Sequence, residues 1–405
     1  PYLAGWIYAL GIAWDAVTDP FMGYLAERTS SKRGRYRPYI FFGTIPLALS
    51  FVLLFWVPPL EGVSLFLCLL IINIFHRTCF TIVSVPYSSL TPRITSDSEE
   101  RTKLTTARMI GASFGTLLMS SLGFPIINYF GQDNESLGII YLSSFAACFA
   151  VIILYITYAS VKESSTKEIK ETYPSVSKLI LSILKNYPFW IVFSSILILG
   201  STTIMFNKNL IYYIKYALDL HSYQGLVLGL SGLSSFASIP FWSYVSLKIG
   251  KRNTWQISMS LLLLAFALFY FYQINSLQEL IIIVCLIGLA SGAGGVLFWS
   301  MLPDTIEYGE WKSGIRSESS LYGFMTFAQK SSIAVAALVL GILLTLINFS
   351  PNEIQTPETL VGLKNIMSLI PASGIAISIF LMYFYPINSE YHKELLINIE
   401  ARKNG

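Results

Sequence analysis

The sequence predicts an all-α polytopic membrane protein, and three observations carry that prediction. The chain is 54% hydrophobic and only 12% charged, against roughly 25% charged in an ordinary soluble domain. Its mean hydropathy is +0.60. Apolar runs of about 20 residues, the length a helix needs to cross a bilayer, recur along the whole chain. The lipid bilayer is therefore the first partner the sequence implies. Nucleic acid is not expected as a partner. The net charge is only +4, no basic stretch suits a phosphate backbone, and the aromatic residues sit inside apolar runs. Cys68, Cys79, Cys148 and Cys285 lie in apolar segments without paired spacing. They read as buried small hydrophobes rather than disulfides or metal ligands, so no structural metal and no cofactor is expected. No basic segment precedes the first apolar run at Pro1, so no signal peptide is visible.

Eleven helical spans follow in order, at 2–27, 39–57, 64–91, 104–129, 138–160, 188–217, 224–247, 255–273, 279–302, 321–347 and 363–385. Each is a run long enough to span, bounded by polar or charged residues. Their connections alternate in charge. One set holds Arg28, Lys32, Arg33, Arg35 and Arg37; then Arg93, Arg101 and Lys103; then Lys162, Lys167, Lys170, Lys178 and Lys185. It continues through Lys248, Lys251 and Arg252, then Lys312 and Arg316, and ends with Lys393, Arg402 and Lys403. This set carries 21 of the 27 lysines and arginines. The positive-inside rule places it in the cytoplasm, with the C-terminus inside and Pro1 outside. The expected location is a bacterial inner membrane or plasma membrane.

An internal repeat organises these spans. Tyr87-Ser88-Ser89-Leu90-Thr91-Pro92 is echoed 211 residues later by Phe298-Trp299-Ser300-Met301-Leu302-Pro303, and Gly34-Arg35 is echoed by Gly250-Lys251-Arg252. The stretch 161–185, rich in Lys, Glu and Ser, separates the two copies. The expected domains are an N-terminal bundle over 1–160, a cytoplasmic linker over 161–187, a C-terminal six-helix bundle over 188–388 and a cytoplasmic tail over 389–405. Five spans precede the linker and six follow it. The simplest reading is a pair of pseudo-symmetric six-helix halves, with 11 of 12 helices present and the first lying upstream of Pro1. Two such halves suggest the major facilitator arrangement, in which a substrate site lies at mid-membrane between the repeats.

Polar groups inside spans carry the functional reading. Asp15 and Asp19 are four residues apart on one helical face, about 6 Å along the axis. One charge near the bilayer centre costs at least ~2.5–3.5 kcal/mol on insertion scales. Two on one face call either for a fixed ion pair, with Arg77 or Lys330, or for a water-accessible site binding a monovalent cation or exchanging a proton. Lys330 reads as a permanent counter-charge or as a switch that a cation displaces. Arg77, beside His76, reads as a structural partner. Arg108, about one turn into its span, reads as a snorkelling cation or a gate ion pair. The segment Asp304–Lys312 is too polar for a buried helix. It is either a solvated loop or a gate in which Asp304, Glu307 and Glu310 pair with basic residues. Asp133 and Glu135 read as an outer turn, and Asn134-Glu135-Ser136 fits a glycosylation sequon. Trp6, Trp190, Trp242 and Trp299 read as packing or interface anchors. Trp14, next to Asp15, is the exception and a substrate-cavity candidate. His76, His221 and His392 are too scattered for an enzyme's metal or nucleophile–base cluster, so no enzymatic activity is expected.

At these residues the chain resembles the glycoside–pentoside–hexuronide:cation symporter family, the melibiose permease group of the major facilitator superfamily. The matching pieces are Trp14-Asp15-Ala16-Val17-Thr18-Asp19-Pro20-Phe21-Met22-Gly23, Arg33-Gly34-Arg35-Tyr36-Arg37-Pro38 and Val85-Pro86-Tyr87-Ser88-Ser89-Leu90. They continue with Glu100-Arg101, Arg108, Asp304-Thr305-Ile306-Glu307-Tyr308-Gly309-Glu310-Trp311-Lys312, Arg316, Glu318, Lys330 and Tyr385-Pro386. The resemblance implies a monomeric secondary transporter that moves a sugar or glycoside with Na⁺, H⁺ or Li⁺ by alternating access. It implies that Asp15 and Asp19 are cation-site carboxylates and that Lys330 serves coupling. The substrate-cavity candidates are Trp14, Ser84, Tyr87, Ser88 and Thr326, with Arg77 and Lys330 as cavity charges. The cytoplasmic gate candidates are Arg108, Asp304, Glu307, Glu310 and Arg316. Ser84 and Ser88 stand where melibiose permease has an aspartate and a tryptophan, so a substrate other than its galactoside is expected. Val85–Ser88 and Trp299–Asp304 are also similar to sodium-dependent lysolipid symporters of the same superfamily. A lysolipid symporter and a proton-coupled organic-anion carrier are the alternatives.

Overall fold

The computed structural model describes residues 2–132, 134–163, 175–351 and 353–404. Asp133, Lys167, Lys170 and the middle of the expected linker lie outside the described residues. The first five helices are α1 (Tyr2–Glu27), α2 (Arg37–Leu53), α3 (Gly62–Ser89), the single turn α4 (Thr91–Ile94) and α5 (Ser98–Gly131). Then come α6 (Glu135–Ser160), the short α7 (Val176–Leu184), α8 (Tyr187–Tyr216), α9 (Gln224–Ile249) and α10 (Lys251–Phe271). The last are α11 (Leu277–Ser313), α12 (Glu318–Leu346), α13 (Pro357–Tyr383) and α14 (Ser389–Asn404). Each of the eleven expected spans has its helix. Eight helices among the described residues are long and apolar enough to cross a membrane by length and composition.

The side chains these helices turn outward are those of a membrane protein. Val63, Ile71, Phe271 and Leu346 are each at least 66% exposed, which hydrocarbon accommodates and water does not. The four cysteines are free thiols, as expected, but their burial is not: only Cys79 is buried and Cys148 is exposed on α6. A small apolar thiol suits the lipid-facing side of a helix as well as a core. Asn134 of the sequon is the N-cap of α6, its side chain accepting from the Leu137 amide at 3.2 Å, as Asn at such a position commonly does.

Contacts divide the chain into two compact units. The first comprises Pro1–Asp97, Gly111–Ile183 and Ile315–Phe327; the second comprises Ser98–Ile110, Leu184–Gly314 and Ala328–Gly405. Each unit thus contains a piece of helix from the opposite half of the sequence. In the first, α2 packs on α3 and α6, and α1 packs on α3. Its core includes Met22, Ala26, Tyr36, Ile40, Val85 and Leu90. In the second, α11 packs on α9, α13 packs on α8 and α10, and α14 packs on α11. Met205, Ala336, Leu340 and Ile366 form one of its cores.

The Gly34 and Gly250 echo has a backbone reason. Both residues have left-handed φ, +102° and +82°, a conformation that glycine adopts without a Cβ clash, and both turn the chain into the next helix. At the first of these turns the Glu163 carboxylate accepts from the amides of Arg35, Tyr36 and Arg37 at 2.8–2.9 Å. It thereby satisfies the open N-terminus of α2 with a negative charge.

The structure corrects one expectation about Asp304–Lys312. This segment is neither loop nor solvated: α11 continues to Ser313, and residues 304–310 are buried. α5 likewise begins at Ser98, ahead of its apolar run. Helix extends past the hydropathy limits here because the charged side chains find partners inside the protein, which removes the penalty of burying them. The expected tail contains the helix α14. α14 packs on α11 with His392, Leu395 and Ile399 buried.

Candidate functional site

Asp15 and Asp19 lie on α1 in the first unit, and both are 0% exposed. α1 and α3 run parallel there, so residues offset by 62 to 64 positions meet in register. The Trp14 indole donates to Thr78 Oγ1 at 2.9 Å. Arg77 forms an ion pair with Asp15, and the Thr81 hydroxyl donates to Asp19 Oδ1 at 2.5 Å. Arg77 is itself oriented by Asn73, whose Oδ1 accepts from Nε at 2.9 Å, and it lies 5.7 Å from the Tyr8 ring. Gly11 makes this possible: a Cβ there would fall on the Arg77 guanidinium and 2.7 Å from Asn73 Oδ1.

Of the two counter-charges the sequence suggests, the structure brings Arg77 to Asp15. Lys330 is half-buried on α12 and belongs to the second unit. His76 bonds Ser50 at 3.1 Å through Nδ1, which fits a structural histidine. Among the cavity candidates, Trp14 is 40% exposed, Tyr87 is half-buried and Ser88 is buried. The Ser84 hydroxyl is buried with no hydrogen-bond partner among the described residues. Thr326 is buried and donates to the Tyr322 carbonyl of its own helix at 2.9 Å, so its hydroxyl is already used.

Two further clusters of buried charge lie where helices leave their apolar runs. In the first unit Glu318, 1% exposed, accepts from Arg93 Nε at 2.6 Å, Arg316 Nε at 2.5 Å and the Tyr36 hydroxyl at 3.0 Å. Beside it Ser320 donates to Glu27 at 2.6 Å. In the second unit Arg101, fully buried, holds both oxygens of Glu307 at 2.6 and 3.0 Å. Lys251 holds Asp304 at 2.6 Å and the Ser300 carbonyl at 2.7 Å. His392, from α14, meets Glu307 at 2.5 Å and Asp304 at 3.7 Å. Burial alone would lower the His392 pKa. The hydrogen bond to Glu307 and the charges of Asp304 and Glu307 outweigh it and lift the imidazole above its ordinary value. Donor atoms of Asp304, Glu307 and His392 lie within 4.8 Å of one another, close enough to grip a cation. Arg101 and Lys251 already occupy both carboxylates, and a bidentate guanidinium is a strong competitor.

Of the gate candidates, the structure joins Asp304, Glu307 and Arg316 to buried ion pairs. Glu310 is buried on the same helix. Arg108 lies 4.7 Å over the Trp299 ring, a cation–π contact. Sequence reasoning missed the partners: Arg93, Glu318, Arg101, Lys251 and His392. Their signal was faint, since Arg93, Arg101 and Lys251 read as topology markers in basic loops and His392 as a tail residue.

The family described as "MFS/sugar transport protein" matches residues 1–389. The glucuronide carrier protein homolog of Escherichia coli (strain K12) is 26% identical, over 99% of this chain and 88% of its own. The isoprimeverose transporter of Lactiplantibacillus pentosus is also 26% identical, over 99% and 84%. The crystal structure of the E. coli fucose:proton symporter superposes with a TM-score of 0.68 at 12% identity, covering 96% of this chain and 92% of that one, and so shares the fold. These relatives are carriers rather than enzymes. The chain belongs to the MFS/sugar transport family, as its resemblance to the glycoside–pentoside–hexuronide:cation symporters implied, and is an integral membrane secondary transporter of sugars.

Proposed function

We propose that the protein is a cation-coupled symporter that carries a sugar or glycoside across a bacterial inner membrane or plasma membrane by alternating access, as a monomer. The observation that supports this most is the α1–α3 constellation. Two wholly buried carboxylates, one beside a guanidinium and one beside a hydroxyl, occupy one helical face. A site built only for stability gains little from a buried ion pair, so two such carboxylates point to a charge that comes and goes. Na⁺, Li⁺ or H⁺ fits, with Asp19 and Asp15 as oxygen ligands or proton acceptors. Arg77, paired with Asp15, is the charge that the cation competes with, and Lys330 serves coupling. Trp14, Ser84, Tyr87 and Ser88 offer the polar and aromatic surface a sugar needs.

The two clusters of buried ion pairs act as the cytoplasmic gate, with the C-terminal tail on that side. Each joins distant parts of the sequence: Arg93 reaches Glu318, and Arg101 reaches Glu307. Pairs of this kind form in one state of an alternating-access carrier and part in the other. Binding cation and sugar together must favour that step more than either does alone, which is the linkage that defines coupling.

The test is uptake into proteoliposomes driven by a Na⁺, Li⁺ or proton gradient. Asp19→Asn keeps the size of the side chain and removes its charge. It is expected to abolish gradient-driven accumulation while the protein still folds and inserts. Unchanged accumulation by Asp19→Asn would remove the cation-site assignment.

A further inference from the structure

The second unit carries an apolar groove of about 490 Å³ lined by α9, α10 and α11. We infer that it holds one anionic phospholipid, with an acyl chain in the groove and the phosphate at Lys248. The lipid is a resident partner rather than cargo. The inference needs only the membrane-embedded helices, not the identity of the sugar or of the coupling cation.

The groove follows from how the three helices are held. On α11, Gly288 and Gly292 stand four residues apart, the small-residue spacing that lets membrane helices approach closely. A Cβ at either would fall 2.5 Å from a backbone oxygen of α9, that of Ser231 or Ser235, so α9 and α11 meet backbone to backbone. α10 is tied to α13 instead: Trp255 donates to Ser378 Oγ at 3.2 Å, and Gln256 donates to the Ile379 carbonyl at 3.0 Å. The groove lies between these contacts, with Trp242, Ala265 and Ala290 buried as its floor. The Trp242 indole donates to the Leu289 carbonyl at 2.7 Å, which fixes the floor and satisfies its one polar group. The rim is apolar and open: Phe241 is 58% exposed and Leu264 is 65% exposed.

The charge at one end of the groove identifies its occupant. Ala237, Phe241, Tyr244 and Lys248 recur at helical spacing and share one face of α9. Asn253, Ile257, Leu261, Leu264 and Leu268 share one face of α10 in the same way, and all nine residues are exposed. Each stripe therefore runs from the apolar groove to a polar end beside the Gly250 turn. By rise per residue, Phe241 lies about 10 Å from Lys248, and Leu268 about 22 Å from Asn253, a reach that suits an acyl chain in a ~30 Å hydrocarbon core. Lys248 lies 5.6 Å from the Tyr244 ring and has no carboxylate partner among the described residues. Arg252 has none either; it donates to the Tyr383 carbonyl at 2.6 Å and adds positive potential at this end. Lipid tails are as apolar as leucine, so burying a chain does not by itself select one lipid from the bulk. The phosphate does, because a lysine at the membrane surface favours an anionic lipid roughly fivefold. A zwitterionic lipid brings its own ammonium towards Lys248 and forfeits that gain. A partner helix fits less well, since close helix contacts in membranes use small residues and this rim presents Phe and Leu.

The experiment uses the full chain, purified in detergent and delipidated, with dioleoylphosphatidylglycerol, dioleoylphosphatidylethanolamine and glycerol phosphate as probes. Native mass spectrometry counts the bound lipid, and thermal unfolding reads the stabilisation that a ligand of the folded state confers. One phosphatidylglycerol is expected to stay bound, about fivefold tighter than phosphatidylethanolamine, with no shift from chainless glycerol phosphate. Lys248→Gln is expected to erase this preference and Lys248→Arg to keep it. Ala237→Trp fills the groove from an exposed position and is expected to abolish retention without lowering the melting temperature of the lipid-free protein. Equal retention of both lipids by the unaltered protein overturns the proposal, and so does retention that neither Lys248→Gln nor Ala237→Trp changes. A full shift from glycerol phosphate alone overturns the role of the groove. A lipid-free dimer that Ala237→Trp dissociates overturns the lipid and assigns the groove to a second copy of the chain.

Discussion

Glu318→Gln is the most informative single change, because one carboxylate closes a whole cluster. Glu318 is 1% exposed and accepts at 2.6 Å from Arg93, 2.5 Å from Arg316 and 3.0 Å from the Tyr36 hydroxyl. Hydrogen bonds to charged groups contribute ~1.5–3 kcal/mol each, so an additive sum over the three would reach about 4.5–9 kcal/mol. That sum is too large. Gln keeps one acceptor oxygen, and Arg316 is 22% exposed, so solvent recovers part of its solvation. What remains is Arg93, 11% exposed, facing an amide instead of a carboxylate. Removing one partner from a buried pair costs about 3–5 kcal/mol, which fits the geometry better. If the cluster forms in only one transport state, this energy shifts the equilibrium away from that state by about two to four powers of ten. The assay is a double-mutant cycle of Glu318→Gln and Arg93→Gln on thermal unfolding, paired with thiol labelling of cysteines introduced near Glu318. The expected coupling energy is about 2 kcal/mol or more, with labelling faster in each variant. Additive single effects and unchanged labelling would refute the reasoning, since Glu318 and Arg93 would then not act as a pair.

Three other outcomes follow from the same geometry. The folded-state pKa of His392 is raised, so its ion pairs with Glu307 and Asp304 contribute fully below the unfolded value of about 6.5 and fade as pH rises through the folded one; amide exchange in α14 should quicken over that window, and His392→Asn should flatten the response. Arg101→Lys should cost about 1–3 kcal/mol despite keeping its charge, because a lysine cannot span both Glu307 oxygens; an unchanged melting temperature would speak against the bidentate contact. Gly11→Val should destabilise by only about 1–3 kcal/mol, since it meets flexible side-chain ends, yet it should move Arg77 off Asp15 and change the cation dependence of uptake; uptake with unaltered cation dependence would separate the Arg77–Asp15 pair from coupling.

The legible part of this protein was the part encoded locally. Each of the eleven apolar runs became a helix, because a helix satisfies its own backbone hydrogen bonds and needs only a long enough apolar run to sit in lipid. Asp15 and Asp19 stood out for the same reason, as charges inside such a run, and their four-residue spacing put them on one face of α1. The Gly34 and Gly250 echo was visible too, although its meaning, two left-handed turns, needed the backbone.

Hydropathy failed where charges pair across long separations. Asp304, Glu307 and Glu310 have the composition of a solvated loop, and nothing near them in the chain argues otherwise. The burial of Asp304 and Glu307 in α11 depends on Lys251 and on Arg101, 206 residues before Glu307. Glu318 depends in the same way on Arg93, 225 residues away. The sequence by itself determined a membrane-embedded helical carrier with a charged face on its first helix. Tertiary structure decided which charges meet: Arg77 with Asp15, Arg93 with Glu318, and Arg101 and His392 with Glu307. A buried charge is tolerated only beside its partner, and which residue becomes that partner is set by helix packing rather than by any local pattern.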